Sequence, residues 1–66
     1  MKYQVDQWVL YDPFADNPNI NSPKKAVILY VFKKSEHSFY DYEIYIEGDP
    51  GRYLKVRENV LYPLED

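Results

Sequence analysis

No cysteine occurs anywhere in these 66 residues. No disulfide can therefore close a loop, and one histidine leaves no His/Cys ligand set for a structural zinc ion. A chain this short buries only about 60% of the surface its unfolded form exposes. Its stability must come from apolar packing, and the material is present. Aromatic residues make up 18% of the sequence, as eight Tyr, three Phe and one Trp. Each large ring can bury on the order of 150–250 Å². The lack of cysteine fits a reducing compartment, and "MKYQVDQW" lacks the apolar run of a secretory leader. The longest apolar run, residues 26–32, falls well short of the roughly 20 residues needed to cross a bilayer as a helix. The expectation is a cytoplasmic protein of one domain, residues 1–66, with no cofactor and no membrane contact. A net charge of −3 offers phosphate no broad attraction.

Helical spacing is scarce, whereas short β-rich runs between Pro, Gly, Asn and Asp are plentiful. Five strands are predicted. The first is "QWVLY", residues 7–11, ending at the chain-bending pair Asp12-Pro13. A long loop, "DPFADNPNINSP", covers residues 12–23; loops of that length in small domains are often functional. The second strand is "AVILYVF", residues 26–32. The third runs over residues 39–47 after the turn "SEHS". The turn "GDPG" leads to the fourth, residues 52–56. "RENV" suits one 3-10 turn, and residues 61–64 close the chain, with Pro63 acceptable at a sheet edge.

The third and fourth strands fix their own register. Tyr40, Tyr42, Ile44 and Ile46 share one face, expected to point inward; Asp41, Glu43, Tyr45 and Glu47 share the other. Setting Ile44 against Leu54 sets Tyr42 against Val56 and buries a matched face. The same register opposes Tyr45 to Tyr53, Glu43 to Lys55 and Asp41 to Arg57. A one-residue slip would expose Leu54 and lose the charge matches. The acids are therefore expected to belong to a solvated charge ladder, each pair contributing about 0.2–1 kcal/mol. A catalytic carboxylate pair would need one member in an apolar pocket.

Five short strands, a long first loop and a 3-10 turn before the last strand describe an all-β, five-stranded SH3-like barrel. "WVLYDP", residues 8–13, resembles the ALYDY stretch of eukaryotic SH3 domains, with Leu10, Tyr11 and Asp12 in matching places. "YDYEI" and the closing "ENVLYPL", residues 58–64, are similar to small SH3-like barrel proteins of Gram-positive bacteria and their phages and prophages. The resemblance implies the architecture over residues 5–64. The tryptophan pair of the SH3 peptide groove and the late Gly-x-x-Pro-Ser-Asn-Tyr are missing, so recognition of Pro-x-x-Pro ligands is not implied. The tandem glycines of ribosomal KOW motifs are missing too.

Candidate binding residues follow from placement. Tyr11, Phe14 and Tyr62 could line a groove beside the long loop; alternatively Phe14 and Ile20 fold back to cap the barrel. Trp8 reads as a core or barrel-end residue in preference to a binding aromatic. Tyr11, Phe39 and Tyr40 are raw material for an aromatic cage around a methylated cation. The second strand is apolar on both faces, so its outer face, with Tyr30 and Phe32, needs cover from the loop, a partner or a second copy. Lys24, Lys25, Lys33 and Lys34 bracket that strand. They are gatekeepers against aggregation or, with Tyr30 and Phe32, a small nucleic-acid patch.

Chemistry finds little footing. Asn17, Asn19 and Asn21 alternate as in a calcium loop, but Ser22 and Ile28 stand where glycine and glutamate are required. His37 lies in a polar turn, and Ser22, Ser35 and Ser38 match no hydrolase motif. The expected function is a non-enzymatic module for protein–protein interaction, self-association included, in the manner of a phage-encoded factor acting on a host protein. The competing expectation is a nucleic-acid-associated barrel using the lysine-flanked strand.

Overall fold

The computed structural model describes residues 2–17, 19–20, 22–33, 39–48 and 50–64. The expectations placed on Asn21, Lys34, Ser35, His37 and Ser38 lie outside them. Five strands form: β1 (Trp8–Tyr11), β2 (Lys24–Val31), β3 (Tyr42–Ile46), β4 (Arg52–Val56) and β5 (Leu61–Pro63). A 3-10 turn over Glu58–Val60 precedes β5. Every pairing is antiparallel. The strands lie in the order β4-β3-β2-β1-β5, so the chain meanders from β1 to β4 and then returns to the far side of β1. The sheet is open, with β4 and β5 at its margins.

The β3–β4 register is the expected one. Tyr42 opposes Val56, Glu43 opposes Lys55, Ile44 opposes Leu54 and Tyr45 opposes Tyr53. Alternation sorts the faces, because successive side chains on a strand point to opposite sides. Tyr42, Ile44 and Ile46 are buried and join Tyr3, Val9, Ala26, Ile28, Val56 and Leu61 in one core. Tyr40, expected on the same face, instead precedes β3, stays 40% exposed and packs edge-on against Phe39. On β2 the alternation breaks. Ile28 opposes Ile44, but Tyr30 rather than Leu29 opposes Glu43. This β-bulge sends Leu29 and Tyr30 outward together and returns Val31 to the core side, opposite Tyr42. The two-faced apolar strand is thereby partly resolved by geometry.

The charge ladder differs from expectation. Glu43 and Lys55 are opposed as expected, yet Lys55 Nζ lies over the Phe32 ring, 5.9 Å from its centroid. The Arg57 guanidinium sits 4.8 Å from the Phe39 centroid. Asp41 Oδ2 instead accepts the Glu58 backbone N–H at 2.8 Å. Exposed ion pairs are worth about 0–1 kcal/mol, and a nearby ring offers a cation about as much. A ring also offers apolar surface to a cation's long stem, which a carboxylate does not, and that favours the ring.

Gly51 is set by a close approach. A Cβ there would run into the Tyr45 hydroxyl and come to 3.0 Å from the Ile46 carbonyl oxygen. The Gly51→Ala variant must push Tyr45 off its edge contact with Tyr53, at a cost of about 1–3 kcal/mol. Urea unfolding should show that cost shrinking in a Tyr45→Ala background, where the colliding ring is gone. Equal costs in both backgrounds would place the strain in the backbone.

Candidate functional site

A mainly apolar concavity lies beside the long first loop. It has a volume of about 320 Å³ and is lined by Tyr11, Pro13, Phe14, Ile20, Ser22, Lys24 and Arg52. Tyr11 comes from the inward-facing register of β1, opposite Leu61 and Lys24. Arg52 opens β4 opposite Ile46. The loop supplies the other wall through short-range bonds. Asp12 is buried and its Oδ1 accepts the Phe14 N–H at 3.3 Å, the Asx turn that Asp favours after a strand. The Asp12 N–H donates to the Val60 carbonyl at 2.9 Å, tying the loop's start to the 3-10 turn. Asn17 Oδ1 accepts the Asn19 N–H at 3.1 Å, and the Ile20 N–H reaches the Asn17 carbonyl at 3.2 Å. Asn17 and Asn19 thus serve the loop's own turns. Phe14 and Ile20 each stay about half exposed, so they wall the hollow over Tyr11 rather than plug the core.

A second, more polar cleft of about 420 Å³ is lined in part by Lys2, Tyr3, Asp41, Arg57, Glu58 and Tyr62. Its organiser is Tyr42, fully buried on β3. The Tyr42 hydroxyl donates to Glu58 Oε1 at 2.7 Å and accepts the N–H groups of Lys2 and Tyr3, each at 3.1 Å. Glu58 Oε1 also accepts the Lys2 N–H at 3.2 Å. Tyr3, itself buried, donates its hydroxyl to the Leu61 carbonyl at 3.3 Å. Burial first, and then the bond to Glu58, pushes the Tyr42 hydroxyl up to about 12. Burial, with the Glu58 charge behind it, raises Tyr3. The Tyr42 hydroxyl, then the Lys2 amide, holds Glu58 below the usual carboxylate value. Near neutral pH the pair is locked as a phenol and a carboxylate. It fastens the N-terminal segment to the 3-10 turn and is ill-suited to trading protons.

The residues singled out in the sequence are dispersed. Tyr11 and Phe14 meet in the hollow, whereas Tyr62 lines the polar cleft instead. Tyr30 and Phe32 pair edge-on at 5.0 Å, near Lys55. Lys24 and Lys25 begin β2 and Lys33 follows its end. Eight residues at about 3.3 Å each put them roughly 26 Å apart, so they do not form one patch around Tyr30 and Phe32. The cage does not assemble either: Phe39 and Tyr40 make an edge contact at 5.2 Å beside Arg57, and Tyr11 stands in the hollow.

Trp8 corrects the expectation of a core or barrel-end residue. It is 45% exposed on the outer face, because Val9 takes the inward position. "QWVLY" is apolar on both faces, so alternation could not choose. Trp8 opposes Val27, Val27 opposes Tyr45, and Tyr45 opposes Tyr53, giving an apolar row across four strands. Of the hollow's residues, Arg52 went unrecognised and Lys24 was assigned to another surface; a charge at a strand end carries no mark of the cavity it rims.

Among the described residues, no group of three or more His, Cys, Asp or Glu side chains could hold a metal ion, and no helix is long and apolar enough to cross a membrane. No family model, no curated protein and no solved structure matches the chain.

Proposed function

We propose that this chain is a non-enzymatic binding module on an SH3-like barrel, and that the hollow between β1 and the long loop receives a segment of a partner protein. The observation that carries this is the hollow itself, where Tyr11, Pro13, Phe14 and Ile20 form an open apolar surface on a loop braced by its own turns. Rings held half exposed on such a scaffold give contact area at small entropic cost. The strand order, the long first loop and the 3-10 turn before β5 are what the SH3-like connectivity calls for. The clamped Tyr42–Glu58 pair supplies rigidity where a catalyst would need a titratable group.

The test is retention of a defined protein from a lysate of the source organism on immobilised full-length chain. Tyr11→Ala or Phe14→Ala should each cut affinity for the retained protein about tenfold, in the range of interface anchors, with the far-UV spectrum unchanged. Tyr53→Ala, on the outer row, should leave it untouched. Loss with Tyr53→Ala and none with Tyr11→Ala or Phe14→Ala would move the site to that row.

A further inference from the structure

The hollow's charge is lopsided. Among the described residues that line it, the charged ones are Lys24 and Arg52, on a chain whose net charge is −3. Lys24 lies opposite Tyr11 and Arg52 opposite Ile46, both on the inward register, which turns their side chains toward the hollow they line. Neither side chain is engaged in a hydrogen bond, ion pair or ring contact among the described residues. Lys55 and Arg57, on the same edge strand and just beyond it, each cover a ring. Of the loop's two carboxylates, Asp12 is buried and committed to the Phe14 amide, and Asp16 is exposed and not among the hollow's lining residues. Two cations thus rim an apolar hollow with no acid among its described lining residues.

Resting on the hollow as a protein-binding site, we infer that its partner segment carries a carboxylate beside an aromatic or branched apolar side chain. The apolar group packs against Tyr11, Phe14 and Ile20, and the carboxylate meets Lys24 and Arg52. At about 320 Å³ the hollow sits at the small end of ligand sites, which run from roughly 300 to 1,000 Å³. It suits one or two side chains of a peptide. A nucleic-acid strand fits less well, since it needs a track of cations and the other described lysine flanking β2, Lys33, is at the far end of that strand. Carboxylate recognition by an arginine fork also gives direction to an otherwise greasy contact.

The experiment is selection of a displayed random-peptide library on the full-length protein at low ionic strength. The expected pool is enriched in Asp or Glu within two positions of an aromatic or branched residue and depleted of Lys and Arg. Synthetic peptides from it should bind at least about tenfold more weakly to the Lys24→Glu, Arg52→Glu double variant. Selection on that variant should turn the pool basic. Lys24 and Arg52 are exposed, so the fold should survive, and the milder Lys24→Gln, Arg52→Gln pair provides a second reading. A pool without acids that still depends on Tyr11 and Phe14 would overturn the acidic preference alone. An acidic pool indifferent to the charge reversals would also overturn it. No enriched pool at all would overturn both this inference and the hollow as a protein-binding site. An oligothymidylate that binds more tightly than any selected peptide, and is lost with the same reversals, would reassign the cations to phosphate.

Discussion

The Ile44→Ala variant is expected to lose about 2–5 kcal/mol of folding stability, the range for removing a branched aliphatic from a packed core. A domain of 66 residues has only about 3–10 kcal/mol to lose. Ile44 is completely buried on β3, with Ile28 opposite on one side and Leu54 on the other. Both neighbours are held by ladder hydrogen bonds, so the void has little scope to collapse. Leu54, on a marginal strand and only partly buried, should cost clearly less as Leu54→Ala. Leu29→Ala, on the outer face, should stay within about 0.5 kcal/mol. Urea unfolding followed by circular dichroism will rank them. An Ile44→Ala cost no larger than that of Leu29→Ala would mean the sheet packs on its other face.

Tyr42→Phe is expected to be the second most damaging of the conservative changes. It removes one oxygen but orphans several partners: the Tyr3 N–H loses its acceptor, Glu58 loses its shortest bond and Lys2 keeps only Glu58. A buried donor left without a partner costs about 1–3 kcal/mol. The variant should also change shape on the pH axis. Tyr42 ionises at its ordinary value of 10.0 in the unfolded chain and at about 12 in the folded one. Its contribution is therefore complete below pH 10 and lost as pH rises from about 10 to about 12. Glu58 runs the other way. Its folded value lies below 4.5, so its contribution is present above that pH and lost as pH falls through the lowered value. Wild-type stability should thus decline at both ends. In Tyr42→Phe the alkaline decline should shrink to the part owed to Tyr3, and the acid decline should weaken because Glu58 has lost the main cause of its shift. Unfolding midpoints at pH 3, 7 and 11 will test this, and parallel pH curves for the two proteins would overturn it.

What the sequence disclosed tracks where its alternation was clean. "YDYEI" has polar residues on one face only, and the β3–β4 register came out residue for residue. "QWVLY" and "AVILYVF" are apolar on both faces, and there the sequence failed to anticipate an outward Trp8 or the bulge at Leu29 and Tyr30. Tyr3 stands alone among polar residues, and nothing local marks it as a core ring; its burial depends on Tyr42, 39 positions away. Of the candidate site, Tyr11 and Phe14 were legible because a strand end and a loop start are neighbours in sequence. Arg52 was not, since only the folding of the whole sheet brings the head of β4 beside the first loop. The charge ladder was legible as geometry and misjudged as energetics, because side chains of similar reach offered the cations aromatic rings.

The extra residue in β2 makes that strand tolerant of shortening. Excising Leu29 would leave Ile28 inward, Tyr30 outward and Val31 inward, an uninterrupted two-residue repeat against β3. Such a deletant should keep the same core side chains yet lose the local coiling that a bulge adds. Its flatter β2 would aim the segment after Val31 in a new direction, carrying Phe32 away from Lys55 while the hollow at the strand's opposite end keeps its form.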